Sequence, residues 1–196
     1  MKKTEILLIK LLEEGFEGRK EFKQKELARK LNISIGLINS VVKRLFKIGA
    51  LEIKQFSFNI VDLKKILLYA CIKRNLSKDI IASFYVDLPV RKIESLMPNE
   101  AVFTAYTAYR LYFDEAPANY SEVYVYADKE SLKEIKARFN FENKKPNVFI
   151  LKKSFEMKNK VSLPLLYIDL WNLKEWYAKE FLNALERHLK NEGILE

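Results

Sequence analysis

The sequence predicts an α+β chain: a helical, basic N-terminal part followed by a mixed α/β domain. Three observations predict it. The positive charge is uneven, with residues 1–60 holding 13 Lys/Arg against 7 Asp/Glu and residues 61–196 holding 22 against 19. Apolar residues first recur at helical spacing, then alternate briefly, and after residue 75 helical and strand rhythms take turns. Four of the five glycines lie at or before position 49, so no glycine-rich phosphate cradle can form in the second part. At 196 residues the chain is long enough for one or two domains with a true core. We read 1–60 as one domain, 61–95 as a connecting helix and strand, and 96–196 as the second domain.

Residues 4–14, TEILLIKLLEE, read as a first helix, capped by Thr4, with Ile6, Ile9, Leu11 and Leu12 on its apolar side. Gly15 and Gly18 end it. Residues 22–49, FKQKELARKLNISIGLINSVVKRLFKIG, divide into two further helices. Leu27 and Leu31 flank the small Ala28. Ile38, Val41, Val42 and Leu45 resume the spacing after a break at Asn32-Ile33-Ser34. Asn32 can turn the chain, Ile33 can plug the corner, and the Ser34 side chain can accept a backbone N–H of the next helix. Gly49 closes that helix, with Lys47 in its last turn where a cation suits the dipole. This pattern is a helix-turn-helix. The rhythm of Leu51, Ile53, Phe56, Phe58 and Ile60 adds a short hairpin, a wing, turning near Lys54-Gln55. The wing is apolar enough to pack on the protein as readily as to touch phosphate.

The side of the second helix not needed for packing carries Gly36, Leu37, Asn39, Ser40, Lys43 and Arg44, bounded by Ser34 and Lys47. Ser and Asn can hydrogen-bond base edges, and Lys and Arg can hold phosphates or guanine. Gly36 permits close approach to a groove. Lys23, Gln24 and Lys25 open the first helix of the pair, where backbone N–H groups favour phosphate. A plain helical hairpin with a solvated basic face is the bland alternative. The corner, the small residue and the polar face together favour double-stranded DNA, with residues 34–47 in the major groove.

Residues 61–74 predict a helix with Leu63, Ile66, Leu67, Ala70 and Cys71 inward. Residues 79–88 predict a strand, and Pro89 starts a short helix over 90–97. Residues 102–113, VFTAYTAYRLYF, carry an aromatic stripe at helical spacing. Core packing explains this stripe more simply than a stacking platform for single-stranded nucleic acid. Residues 121–127 alternate as a strand, and Asp128 caps a helix over 129–138. Residues 147–152 and 161–169 predict strands, with Pro164 placing a break or an edge in the latter. The last helix, 173–190, repeats Leu173, Tyr177, Phe181, Leu185 and Leu189 four apart, with Glu175–Lys179 and Glu186–Lys190 as outward pairs.

Little here points to catalysis, and no enzyme activity, cofactor or metal is expected. The single cysteine, Cys71, sits in an apolar stretch and excludes an internal disulfide framework. The only histidine, His188, reads as surface or capping. Asp114-Glu115 precedes Ala-Pro and reads as a solvated loop, and no serine lies in a nucleophile elbow. With no apolar run near 18 residues and no signal-like start, a cytoplasmic protein without membrane contact is expected.

The stretch from Lys25 to Leu51 resembles the winged-helix repressors, departing from their usual pattern at Leu37 and Ser40, where polar or basic residues are common. The run from Pro98 to Phe139, continuing to NVFIL and to PLLYIDLWNLKEWYAKEFLNAL, is similar to the AbiEi-type antitoxins of type IV toxin–antitoxin systems. Thr104, Ala108 and Leu111, Pro117, Val125 and Tyr126, and Pro164, Asp169 and Leu170 carry that likeness. Leu111-Tyr112-Phe113 stand where the family commonly enters a glycine-containing turn. The resemblance implies a second domain with a degenerate nucleotidyltransferase fold that transfers nothing; the Gly-Ser…Asp signature of active members is missing here. It further implies autorepression at an operator with inverted repeats and a nucleotidyltransferase-like toxin as partner. The chain is therefore expected to be a sequence-specific DNA-binding regulator, antitoxin-like. The alternative is a protein- or RNA-interaction module that uses the winged helix without operator binding. The sequence leaves the oligomeric state open.

Overall fold

The computed structural model describes residues 1–155, 157 and 159–195. The fold is α+β with two small sheets, and it forms two compact units, Met1–Arg74 with His188–Glu196, and Asn75–Arg187.

In the first unit, helix α1 (Lys3–Phe16) is followed by strand β1 (Glu21–Phe22), helices α2 (Gln24–Leu31) and α3 (Ile35–Lys47), strands β2 (Leu51–Ile53) and β3 (Phe58–Ile60), and helix α4 (Leu63–Lys73). Helix α1 is the seat. Its Leu7, Leu8, Leu11 and Leu12 are fully buried, and it packs on α2, α3 and α4. Each buried leucine contributes about 1.5–3 kcal/mol. The Cβ of an alanine at Gly15 would stand 2.6 Å from a Leu63 methyl, so glycine lets α4 approach. Thus Gly15 lies inside α1, and Gly18, with φ at +89°, makes the turn after it. Thr4 also lies inside the first turn and does not cap it. Lys2 occupies the cap position, and its N–H donates to Glu5 Oε2 (2.9 Å), because Glu5 stands three residues on. The sheet order is β1-β3-β2, antiparallel throughout, with Phe22 stacked on Phe58 at 5.7 Å. The two-residue β1 has no signature in the sequence. Helix α4, expected as a connector, packs within the first unit.

The second unit contains a 3-10 turn (Leu76–Asp79), then β4 (Ile80–Phe84), α5 (Val90–Ser95), β5 (Val102–Thr104), α6 (Ala105–Phe113), β6 (Val123–Ala127), α7 (Lys129–Arg138), β7 (Val148–Lys152), α8 (Leu163–Trp171) and the start of α9 (Ala178–Asn191). The sheet order is β4-β7-β6-β5; β6 and β7 are parallel around α7, and the outer pairs are antiparallel. One sheet face presents Val123, Val125, Ala127, Val148 and Ile150 to Ile93 of α5 and Ile135 of α7. The other presents Tyr124 and Tyr126 to an aromatic layer in which Tyr106, Tyr109 and Phe181 pack together.

In the second unit the structure corrects three further expectations. The predicted helix over 102–113 begins as strand β5, and the chain turns into α6 at Ala105, whose φ is +53°. The predicted strand over 161–169 is helix α8. Pro164 sits in its first turn, where its missing N–H costs nothing, and residues 164–170 are all buried, which erases the amphipathic rhythm. The last helix starts at Ala178, not 173, and its expected outward pairs are replaced. Glu175 accepts from the Tyr106 and Tyr124 hydroxyls (3.0 and 2.9 Å), and Glu186 accepts from Tyr167.

At the centre of this layer the Asp169 carboxylate of α8, fully buried, accepts from Thr104 Oγ1 (2.8 Å) and the Tyr126 hydroxyl (2.7 Å). A helix is thereby fixed to two strands by one side chain. Asp169→Ala removes that acceptor from two buried hydroxyls and should lower stability by about 3 kcal/mol. Asp169→Asn, which keeps an acceptor oxygen, should lose less. Urea denaturation checks both; an alanine variant as stable as the parent would contradict the assignment.

Candidate nucleic-acid interface

The helices α2 and α3 are joined by the corner Asn32-Ile33-Ser34. Asn32 adopts the left-handed conformation (φ 49°) and its N–H bonds to the Ala28 carbonyl. Ile33 is buried, and Ser34 Oγ accepts the Leu37 N–H at 3.3 Å. Leu27, Ile38, Val41, Val42 and Leu45 form the buried underside. Gly49, with φ at +69°, releases the chain into β2.

A polar clamp sets α2 against α1. Glu14, almost buried, accepts Arg19 Nη1 at 2.5 Å and Lys30 Nζ at 2.7 Å, with Lys10 at 3.7 Å. Arg19 extends the clamp with a two-oxygen grip on Glu26 of α2, 3.0 Å to each. Burial pushes the Glu14 carboxyl up, but the hydrogen bonds from Lys30 and Arg19 outweigh it and hold the group below its ordinary value. Nothing in the sequence marks this clamp beyond the charges themselves.

The predicted contact residues fall as follows. Lys23, at the cap position of α2, and Lys25 are exposed; Gln24 is half-buried. Ser34 and Gly36 are exposed, while Leu37, Asn39 and Ser40 are half-buried. Lys43, Arg44 and Lys47 are exposed along the rest of α3. The Ser34 hydroxyl is already engaged as a cap. Positions 36, 40, 43, 44 and 47 recur at helical spacing and share one side of α3. Among the described residues, no carboxylate lies within ion-pair distance of Lys25, Lys43, Arg44 or Lys47, in contrast to the cations around Glu14 and Glu94. Arg29 of α2 is likewise exposed; it follows the helical pattern of Lys25 and could have been named from it. Nothing lies within 4 Å of where a Gly36 Cβ would be, so the fold itself does not require glycine there.

The hairpin turn falls at Gln55-Phe56, and Phe56 is 80% exposed. Of the two roles left open for the hairpin, packing on the protein is seen at its base, where Leu51 and Phe58 are buried, and not at its tip.

The acidic candidates of the second unit have structural roles. Asp128 caps α7 by accepting the Ser131 N–H (2.9 Å). Asp114 ends α6 in the left-handed conformation, and Glu115 accepts from the Tyr109 hydroxyl (3.1 Å). Glu94 accepts from Tyr120, Thr107, Arg110 and Arg91 at 2.6–3.1 Å. Burial, followed by the charge of Glu175, raises the Tyr106 and Tyr124 hydroxyls well above the ordinary tyrosine value, so both remain donors. Cys71 is buried, as its apolar setting predicts. The described residues contain no cluster of three metal-ligating side chains and no helix long and apolar enough to cross a membrane.

No protein-family model, curated protein or solved structure matches the chain.

Two outcomes follow from this geometry. A carboxylate held below its ordinary value stabilises the fold above that value, and the contribution is lost as pH falls through the lowered one. The stability difference between the parent and Glu14→Gln should therefore be largest near neutrality and shrink below about pH 4; a pH-independent difference in chemical denaturation would contradict the clamp. Gly36→Ala meets no clash and should leave the fold as stable or add up to about 1 kcal/mol. Thermal unfolding checks this, and a destabilised variant would mean the glycine serves internal packing.

Proposed function

We propose that the chain is a winged helix-turn-helix DNA-binding regulator, with α3 entering the major groove of duplex DNA. One observation carries the reading: the exposed side of α3 holds Lys43, Arg44 and Lys47 free of carboxylate partners among the described residues, beside a glycine that the fold does not require. Cations left unpaired on a rigid rod are what phosphate neutralisation needs. The half-exposed Asn39 and Ser40 lie on the same helix and supply base-edge donors and acceptors. Lys23 and Lys25, at the start of α2, add phosphate contacts at a helix N-terminus.

The resemblance to AbiEi-type antitoxins extends this reading. It makes the operator the chain's own, with inverted repeats, gives the second unit a nucleotidyltransferase-like ancestry without a transfer reaction, and adds a nucleotidyltransferase-like toxin as partner. It is the support for these finer points. A second reading, a protein- or RNA-interaction module, is favoured by Ile35 and Phe46, apolar side chains of α3 that are about half exposed.

Replacing Lys43 and Arg44 together by alanine should weaken duplex binding and flatten the log K against log salt line by about 2, near 0.9 for each phosphate no longer neutralised. Fluorescence anisotropy over a salt series measures it. An unchanged slope would remove α3 from the interface, and preferential binding of a matched RNA would favour the second reading.

A further inference from the structure

The hairpin between β2 and β3 presents an unusual group. Its tip is closed by the Lys54 N–H donating to the Ser57 carbonyl at 2.9 Å, with Gln55 and Phe56 between. Of the large apolar side chains in the described residues, Phe56 is the most exposed. The tip is braced rather than loose: Ser57 Oγ donates to Glu21 Oε1 (2.6 Å), and β1 pairs with β3 through Glu21 and Phe22. The brace ties the start of β3, next to the ring, to the neighbouring strand.

The hairpin is not a phosphate grip. Its charged residues are Glu52 and Lys54, which cancel, and Glu21 of the neighbouring strand feels the Lys54 charge. The exposed cations Lys25, Arg29, Lys43, Arg44 and Lys47 stand on α2 and α3 instead. What the hairpin offers is therefore apolar: the Phe56 ring, with Ile53, 43% exposed, at the end of β2. Proteins that enter the minor groove insert such side chains between base pairs, unstacking one step. The reach suits this. Strand β2 packs against α3 and follows it after three residues. Its own three residues span about 10 Å, comparable to the roughly 12 Å width of the major groove. The hairpin thus adjoins the helix that the duplex reading seats in the major groove.

We infer that Phe56 is an apolar wedge for the minor groove next to the major groove that takes α3. The inference rests on the duplex-DNA reading above. It assigns the two parts of the interface different physics: α3 grips phosphates in a salt-dependent way, and the hairpin tip contributes a salt-independent contact at an easily unstacked pyrimidine–purine step.

The test uses the full chain and a mixed-sequence duplex of about 30 base pairs, roughly three helical turns, containing TA steps with 2-aminopurine as the adenine. Binding of the parent should raise 2-aminopurine fluorescence, because the probe brightens when unstacked. Phe56→Ala should abolish that rise and weaken binding about tenfold, with the salt slope unchanged because every phosphate stays neutralised. Phe56→Leu should retain most of the rise. The ring is exposed, so circular dichroism should show both variants folded. If Phe56→Ala binds as tightly as the parent with the same fluorescence, or flattens the salt slope, the wedge is overturned; should Lys43→Ala/Arg44→Ala still weaken binding in that case, the duplex reading stands. If the parent binds no duplex at low salt, the reading falls and the wedge falls with it. Under that outcome a partner protein's apolar surface becomes the occupant of the tip.

Discussion

The leucine face of α1 is the constraint on which the first unit depends. Leu7, Leu8, Leu11 and Leu12 give α2, α3 and α4 one surface to bury against, and without it α2, only eight residues long, would not hold a helix alone. Burial fixes which side of α3 is hidden. The Glu14 clamp then anchors α2, through Lys30 and through the Arg19 bridge to Glu26. The two effects act on different variables: the apolar seat sets the roll of each helix, and the ionic clamp pins α2 to the helix beneath it. Glu14 and Glu26 are taken up by Arg19 and Lys30, so neither carboxylate serves the cations further along α3.

The second unit is held together by a different chemistry. Tyrosine hydroxyls meet carboxylates wherever the aromatic layer covers the sheet: Tyr106 and Tyr124 on Glu175, Tyr126 on Asp169, Tyr167 on Glu186, Tyr120 on Glu94. A phenol is a large apolar body with one donor, so this layer gains aromatic burial while giving each inward carboxylate a partner. Buried carboxylates without such donors would be costly. The arrangement accounts for the density of tyrosine between positions 106 and 177 without invoking a stacking platform.

The helices of the first unit are legible because local and global signals agree in them: helical spacing, an αL-tolerant Asn32, a capping Ser34 and a closing Gly49 all point to the same corner. Where the signals conflict, the sequence misleads. Helix α8 is buried on every side, so nothing marks its period, and Pro164 resembles a strand breaker although it suits a first helical turn. Strand β5 runs into α6 through Ala105, a residue that does not advertise a positive φ as glycine or asparagine would. Strand β1 is two residues long and exists only because β3 pairs with it. At the candidate interface, residue types name the exposed cations of α3, but Asn39 and Ser40 are half-buried, and periodicity alone does not separate them from Lys43. The apolar character of Phe56 matches the alternation of a strand; that it occupies the turn depends on pairing between β2 and β3, which spacing does not reveal.

On this account the uncompensated side of α3 faces a duplex while its leucine-seated underside does not. Titrating duplex DNA into the isotope-labelled chain and following backbone amide resonances tests it most directly. The account predicts shifts concentrated at the start of α2, on Gly36, Ser40, Lys43, Arg44 and Lys47, and at the hairpin tip, with the second-unit strands unmoved. Shifts confined to the second unit, or none on α3 while the DNA is bound, would contradict it.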